Sequence, residues 1–181
     1  MDERMKLINT LACNEIFTIT EKKQARRSLI ITRETFAELP PYITQIIIYK
    51  AGKRLSVNYY RGNKNIYKSV RKAEPIMACK TLEEVVDRLV NTRAIQRKVR
   101  ARWLHERLVT QSREWARTMP PRTSSRPISN AIAEEYGSDY KTNLGAVREL
   151  ALRLIENGFE ITDDQILKEV MLYISEKEGA K

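Results

Sequence analysis

Tyrosine, arginine and lysine recur from Gln45 to Arg71, alternating with aliphatic residues and punctuated by two turn signals, Ala51-Gly52 and Gly62-Asn63. Aromatic rings offer faces on which unpaired bases stack, and ammonium and guanidinium groups meet phosphates. Such a mixture suits single-stranded or looped nucleic acid. If each turn signal is a two-residue hairpin loop, register follows from the sequence. Ile48 then faces Leu55, Ile46 faces Val57, Tyr59 faces Ile66, Leu55 faces Val70 and Arg54 faces Arg71. One sheet face gathers Ile46, Ile48, Leu55, Val57, Tyr59, Ile66 and Val70, interrupted by Lys68, and this is the expected core side. The other gathers Tyr49, Arg54, Tyr60, Tyr67 and Arg71 among amides and hydroxyls, with Arg61 and Lys64 at the second turn, and this is the candidate interface. A competing arrangement covers that second face with helices and uses the tyrosines as ordinary strand formers. A slip of one residue would exchange the two faces.

A second candidate surface lies between Arg93 and Arg117, which hold eight basic residues against Glu106 and Glu114. On a helix, Arg93, Arg97, Arg100 and Arg107 fall within about 80° of one another. They would follow a phosphate backbone or lie in a major groove. The same stripe would equally serve as a solvated face or pair with acidic residues further along the chain. Arg122 and Arg126, in a Pro- and Ser-rich stretch, have the composition of a flexible minor-groove arm.

Catalytic and metal chemistry finds little support. The single histidine, His105, has no second imidazole or thiol at ligand spacing, and Cys13 and Cys79 form no CxxC pair. Neither GxxxxGK[ST] nor GxGxxG occurs. Glu15, Glu34 and Glu38 are carboxylates of the kind that hold Mg²⁺ in nucleases, but their spacing singles out no site. The expectation is a non-enzyme without a cofactor or bound metal.

These groups must be positioned by an α+β body. Runs rich in Ile, Val, Tyr and Thr at Glu15–Thr20, Ser28–Thr32, Thr44–Lys50, Arg54–Tyr60 and Asn65–Val70 give about five antiparallel strands, with a helical turn at Arg33–Leu39. Thr81-Leu82-Glu83-Glu84 has capping-box spacing and opens a helical stretch towards Met119. Its apolar stripe changes direction at Ile95, Val99 and Trp103, so breaks are expected near Asn91-Thr92 and near Trp103. Residues 120–127, with three prolines, read as a linker between a body over 1–119 and a helical unit over 128–181. In that unit Ser129 caps a helix to about Tyr136, Leu144–Glu156 forms another ended by Asn157-Gly158, and Thr162-Asp163-Asp164-Gln165 opens a last one through Ile174. The first two have the rhythm of a helix-turn-helix, although the connection is long and the unit acidic.

Charge follows the same division. Net charge is +8 over residues 1–75, +7 over 76–127 and −5 over 128–181. A small domain needs a net charge of roughly 2 to 8 for solubility, and the first 127 residues exceed that. The expected function is therefore nucleic-acid binding, DNA or RNA, by a basic body, with the acidic helices serving a protein partner or self-association. The alternative is an adaptor or inhibitor that places the same basic face against a polymerase or nuclease. No segment has the length of apolar residues that a membrane span needs, and the opening residues lack a signal-peptide pattern. A cytoplasmic or nucleic-acid-bound location is expected.

Overall fold

The computed structural model describes residues 28–118 and 125–178. They form an α+β protein, 57% helical and 20% strand, in two compact units that divide between Ile95 and Gln96. The expected strand at Glu15–Thr20 lies outside the described residues.

In the first unit, β1 (Ser28–Thr32), β2 (Gln45–Ala51), β3 (Arg54–Arg61) and β4 (Lys64–Lys72) form a four-stranded antiparallel sheet in sequential order. Two tight turns make this meander. Gly52 and Gly62 sit at φ +60° and +58°, the left-handed conformation that glycine adopts without steric cost. Arg33–Leu39 holds a single helical turn at its start, Phe36 N–H donating to the Thr32 carbonyl, followed by a tighter turn from Leu39 N–H to the Phe36 carbonyl, and the Thr35 hydroxyl also bonds the Thr32 carbonyl. Helices α1 (Ala73–Met77), α2 (Leu82–Val90) and α3 (Arg93–Ile95) follow.

Thr81 caps α2 as the sequence predicts, its hydroxyl accepting from Glu84 N–H. The Glu84 carboxylate accepts from Lys80 N–H, one residue earlier than in an ideal capping box. Val85, Val86, Leu89 and Val90 are buried, together with Leu29, Ile31, Ile46, Ile48, Leu55, Val57 and Tyr59 of the sheet. The Tyr59 hydroxyl fastens sheet to helix by donating to the Leu89 carbonyl at 2.8 Å.

The second unit is helical: a π-helical segment (Gln96–Arg100), α4 (Ala101–Thr118), α5 (Ser125–Tyr136), a 3-10 turn (Ser138–Thr142), α6 (Leu144–Glu156) and α7 (Asp164–Glu178). The helical break at Asn91-Thr92 is present. Near Trp103 the helix continues, and the change of apolar phase is taken up earlier by the π segment, whose wider turn rotates the following stripe. α5 begins at Ser125, four residues before the expected cap, with Pro127 in the first turn where its missing N–H costs nothing. α7 is capped by Asp163 rather than Thr162, because the Asp163 carboxylate accepts from both Gln165 and Ile166 N–H. α6 ends as expected: Phe159 N–H bonds the Leu154 carbonyl and Gly158 N–H the Ile155 carbonyl, a Schellman motif with Gly158 at φ +90°. Leu104, Leu108, Ile132, Leu150, Leu154, Ile166 and Val170 fill the core of this unit.

Candidate nucleic-acid interface

The sheet face depends on register, and the observed register differs from the expected one at two places. The first hairpin closes on Ala51 opposite Arg54, so its loop is Gly52-Lys53 and Ile46 faces Tyr59 while Ile48 faces Val57. That two-residue shift preserves which face each side chain takes. The second hairpin begins as expected, with Arg61 opposite Lys64 and Tyr60 opposite Asn65, but a β-bulge between Tyr59 and Tyr60 then moves the ladder by one residue. Beyond it Tyr59 faces Tyr67, Leu55 faces Arg71 and Arg54 faces Lys72. Most of β4 has exchanged faces.

Tyr67 and Arg71 are therefore not on the open face. Tyr67 packs beside buried Tyr59, ring centroids 5.8 Å apart, and Arg71 reaches the Thr92 hydroxyl at 3.4 Å. Burial pushes the Tyr59 phenol up in pKa, partly opposed by the nearby Arg71 cation. In exchange Lys68 and Val70 turn outward, Val70 with 61% of its surface exposed. Energetics favour this arrangement. Exposing a valine forfeits about 1.5 to 3 kcal/mol, whereas an unpaired lysine in the core costs several kcal/mol in desolvation.

The outer face thus presents Tyr49 and Tyr60, both half-buried, with exposed Arg54, Asn65, Lys68 and Lys72. Asn65 donates to the Asn58 side-chain oxygen at 3.3 Å, fixing one amide on the face. At the β2–β3 end, Lys50, Lys53, Arg54 and Lys72 border an open groove of about 590 Å³, with Glu74 at its margin. Arg61 and Lys64 flank the other turn. Between Glu38 and Glu74 the chain has no carboxylate and eight cations. Arg54 and Lys72 sit directly opposite each other, a cross-strand arrangement that repels. Sequence reasoning placed Lys68 in the core and omitted Lys72; the signal for both was the lysine interrupting an otherwise apolar face.

No protein family, curated protein or solved structure matches the chain.

The arginine stripe is differently placed. Arg93 is exposed on α3. Arg97 pairs with Asp139 at 3.1 Å and Arg107 with Asp163 at 2.7 Å. Arg100 is nearly enclosed: its Nε donates to Glu169 at 2.6 Å and a second nitrogen to Gln96 at 2.8 Å, with side-chain exposures of 15% for Arg100 and 11% for Glu169. Three of the four stripe members thus meet carboxylates of the acidic segment, the alternative that the charge reversal left open. Arg153 likewise joins Glu135 and Glu149, tying α5 to α6.

His105 is buried, 3.3 Å from the Tyr140 hydroxyl. Burial, reinforced by Lys141 and Arg113 and opposed by Glu106, lowers its pKa to about 4, so the ring is neutral at pH 7. Cys79 is buried and its thiol pushed up by desolvation, the opposite of an activated nucleophile. Glu34 and Glu38 are exposed, while Glu15 and Cys13 lie outside the described residues. Among the described residues no three His, Cys, Asp or Glu side chains are grouped to hold a metal ion, and no helix is long and apolar enough to cross a membrane.

Proposed function

We propose that the chain binds single-stranded nucleic acid across the outer face of β2, β3 and β4. Phosphates lie against Arg54, Lys68 and Lys72, with Lys53 and Lys64 at the turns, and bases stack on Tyr49 and Tyr60. The observation that carries this reading is the single sign of charge: no carboxylate lies between Glu38 and Glu74, and the outer face of β2, β3 and β4 presents exposed Arg54, Lys68 and Lys72 beside the half-open Tyr49 and Tyr60. A face of one sign repels itself, and a polyanion relieves that repulsion while releasing its own condensed counterions. The paired cations Arg97, Arg100 and Arg107 are assigned no contact.

Fluorescence anisotropy with a labelled single-stranded oligonucleotide, titrated over salt, tests the proposal. The triple variant Arg54→Gln, Lys68→Gln, Lys72→Gln should flatten the slope of log K against log salt by about 2, from about 0.7 for each lost single-strand phosphate contact. Tyr60→Leu should weaken single-strand binding by about 1 to 3 kcal/mol and duplex binding less. Unchanged affinity and slope in the triple variant would overturn the proposal.

A further inference from the structure

The helical unit carries a cationic pocket of its own. A pocket of about 580 Å³ opens among α4, α5 and the 3-10 turn. Arg113 and Arg117 contribute from α4, Arg126 from the first turn of α5 and Lys141 from the 3-10 turn. Among the described residues no carboxylate lines it. At its inner side lie His105 and Tyr140, 9% and 8% exposed, with Ser129 and Asn130 supplying a hydroxyl and an amide.

This grouping runs against the pattern of the surrounding unit. Arg97, Arg100, Arg107 and Arg153 each face a carboxylate, in a segment whose last 54 residues carry net −5. Arg113 and Arg117 stand one helical turn apart, a like-charge spacing that destabilises an isolated helix. Among the described residues neither has an ion-pair partner. Acidic residues are plentiful in this unit, yet α4 and the 3-10 turn bring Arg113, Arg117 and Lys141 to one concavity. The volume is that of a small-molecule site, and guanidinium pairs are suited to holding phosphate oxygens two at a time.

We propose that this pocket binds a polyphosphate group, its charge held by Arg113, Arg117, Arg126 and Lys141 and its oxygens hydrogen-bonded by Ser129, Asn130 and the Tyr140 hydroxyl. The neutral His105 ring leaves an uncharged inner wall, so the positive field is concentrated at the cationic rim. A free nucleotide and inorganic polyphosphate share this chemistry. The ligand arms distinguish them.

Isothermal titration of the full chain with inorganic tripolyphosphate, and separately with adenosine triphosphate, tests the site. Arg113→Gln with Arg117→Gln should weaken tripolyphosphate at least about tenfold, since two of four charge-assisted partners are lost. Lys141→Gln, a single exposed change, should weaken it about threefold and guards against misfolding of the double variant. The sheet variant Arg54→Gln, Lys68→Gln, Lys72→Gln should bind tripolyphosphate as the parent does. The chain has one histidine, so its proton resonances report the pocket directly and should shift on ligand addition. Tighter binding of the nucleotide than of tripolyphosphate assigns the base a place in the pocket; equal binding assigns the polyphosphate alone. Absence of binding at millimolar ligand, or loss of binding in the sheet variant with full retention in the Arg113 and Lys141 variants, would overturn the proposal.

Discussion

Replacing Arg100 with Met separates a structural arginine from a nucleic-acid contact. Its guanidinium bonds Glu169 through Nε at 2.6 Å and Gln96 at 2.8 Å, and both members of the ion pair are largely enclosed. Removing one partner of a buried pair strands the other charge and costs about 3 to 5 kcal/mol. The remaining exposure of both side chains argues for the lower end, about 3 kcal/mol, a large share of the 5 to 15 kcal/mol typical of a domain. Glu169→Leu should cost a comparable amount. The double variant, which removes both charges and substitutes apolar volume, should cost no more than either single variant and so reveal a coupling of about 3 kcal/mol or more. Urea unfolding followed by circular dichroism measures all four proteins, and oligonucleotide anisotropy is read in parallel. Strictly additive losses would refute the reasoning. So would an Arg100→Met protein of unchanged midpoint that has lost nucleic-acid affinity, because the arginine would then be a contact after all.

Two further outcomes follow from buried polar groups. His105 has a folded pKa of about 4 against an ordinary 6.5, so below pH 6.5 the unfolded chain takes up a proton that the folded chain refuses; stability should be full above pH 6.5, fall as pH drops towards 4, and lose nothing more from this group below that. At about 1.4 kcal/mol per pH unit the loss is capped at about 3.5 kcal/mol, and incomplete enclosure of the ring makes about 2 kcal/mol the expected value; the difference between parent and His105→Gln unfolding curves across this range checks it, since carboxylate titration is common to both. Tyr59→Phe removes the 2.8 Å bond to the Leu89 carbonyl and leaves that carbonyl unpaired, which should lower stability by about 1 to 2 kcal/mol in chemical denaturation without altering oligonucleotide affinity.

Local signals were legible where the interaction that fixes them is local. Thr81 and Glu84 lie three residues apart, and their cap bond opens α2. The Asn157-Gly158 stop of α6 is likewise encoded within five residues. Long-range pairing was not legible. A helical wheel shows that Arg97, Arg100 and Arg107 share a side, but their partners Asp139, Glu169 and Asp163 are 42, 69 and 56 residues away. Solvated, phosphate-binding and internally paired stripes therefore look alike in sequence. The π segment posed a similar difficulty: a jump in apolar phase is visible between Val90 and Trp103, but periodicity cannot distinguish a chain break from one wide turn.

The bulge beside Tyr59 had the largest consequence for the candidate interface, and its cause was present as an anomaly, a lysine among apolar partners. Holding strict alternation would have buried Lys68 to keep Val70 inside. The one-residue shift gives up one valine and places Lys68 on the same face as Arg54 and Lys72. It also withdraws Tyr67 from that face to pack against Tyr59. The proposed surface therefore gains a cation and loses a ring. With Tyr49 and Tyr60 as its stacking partners, base contacts are limited to about two, at about 1 to 3 kcal/mol each, while the run of cations along the outer strands is longer than alternation alone would allow. On the proposed function, affinity should therefore be governed by salt more than by base composition, because the bulge spends sheet symmetry on charge.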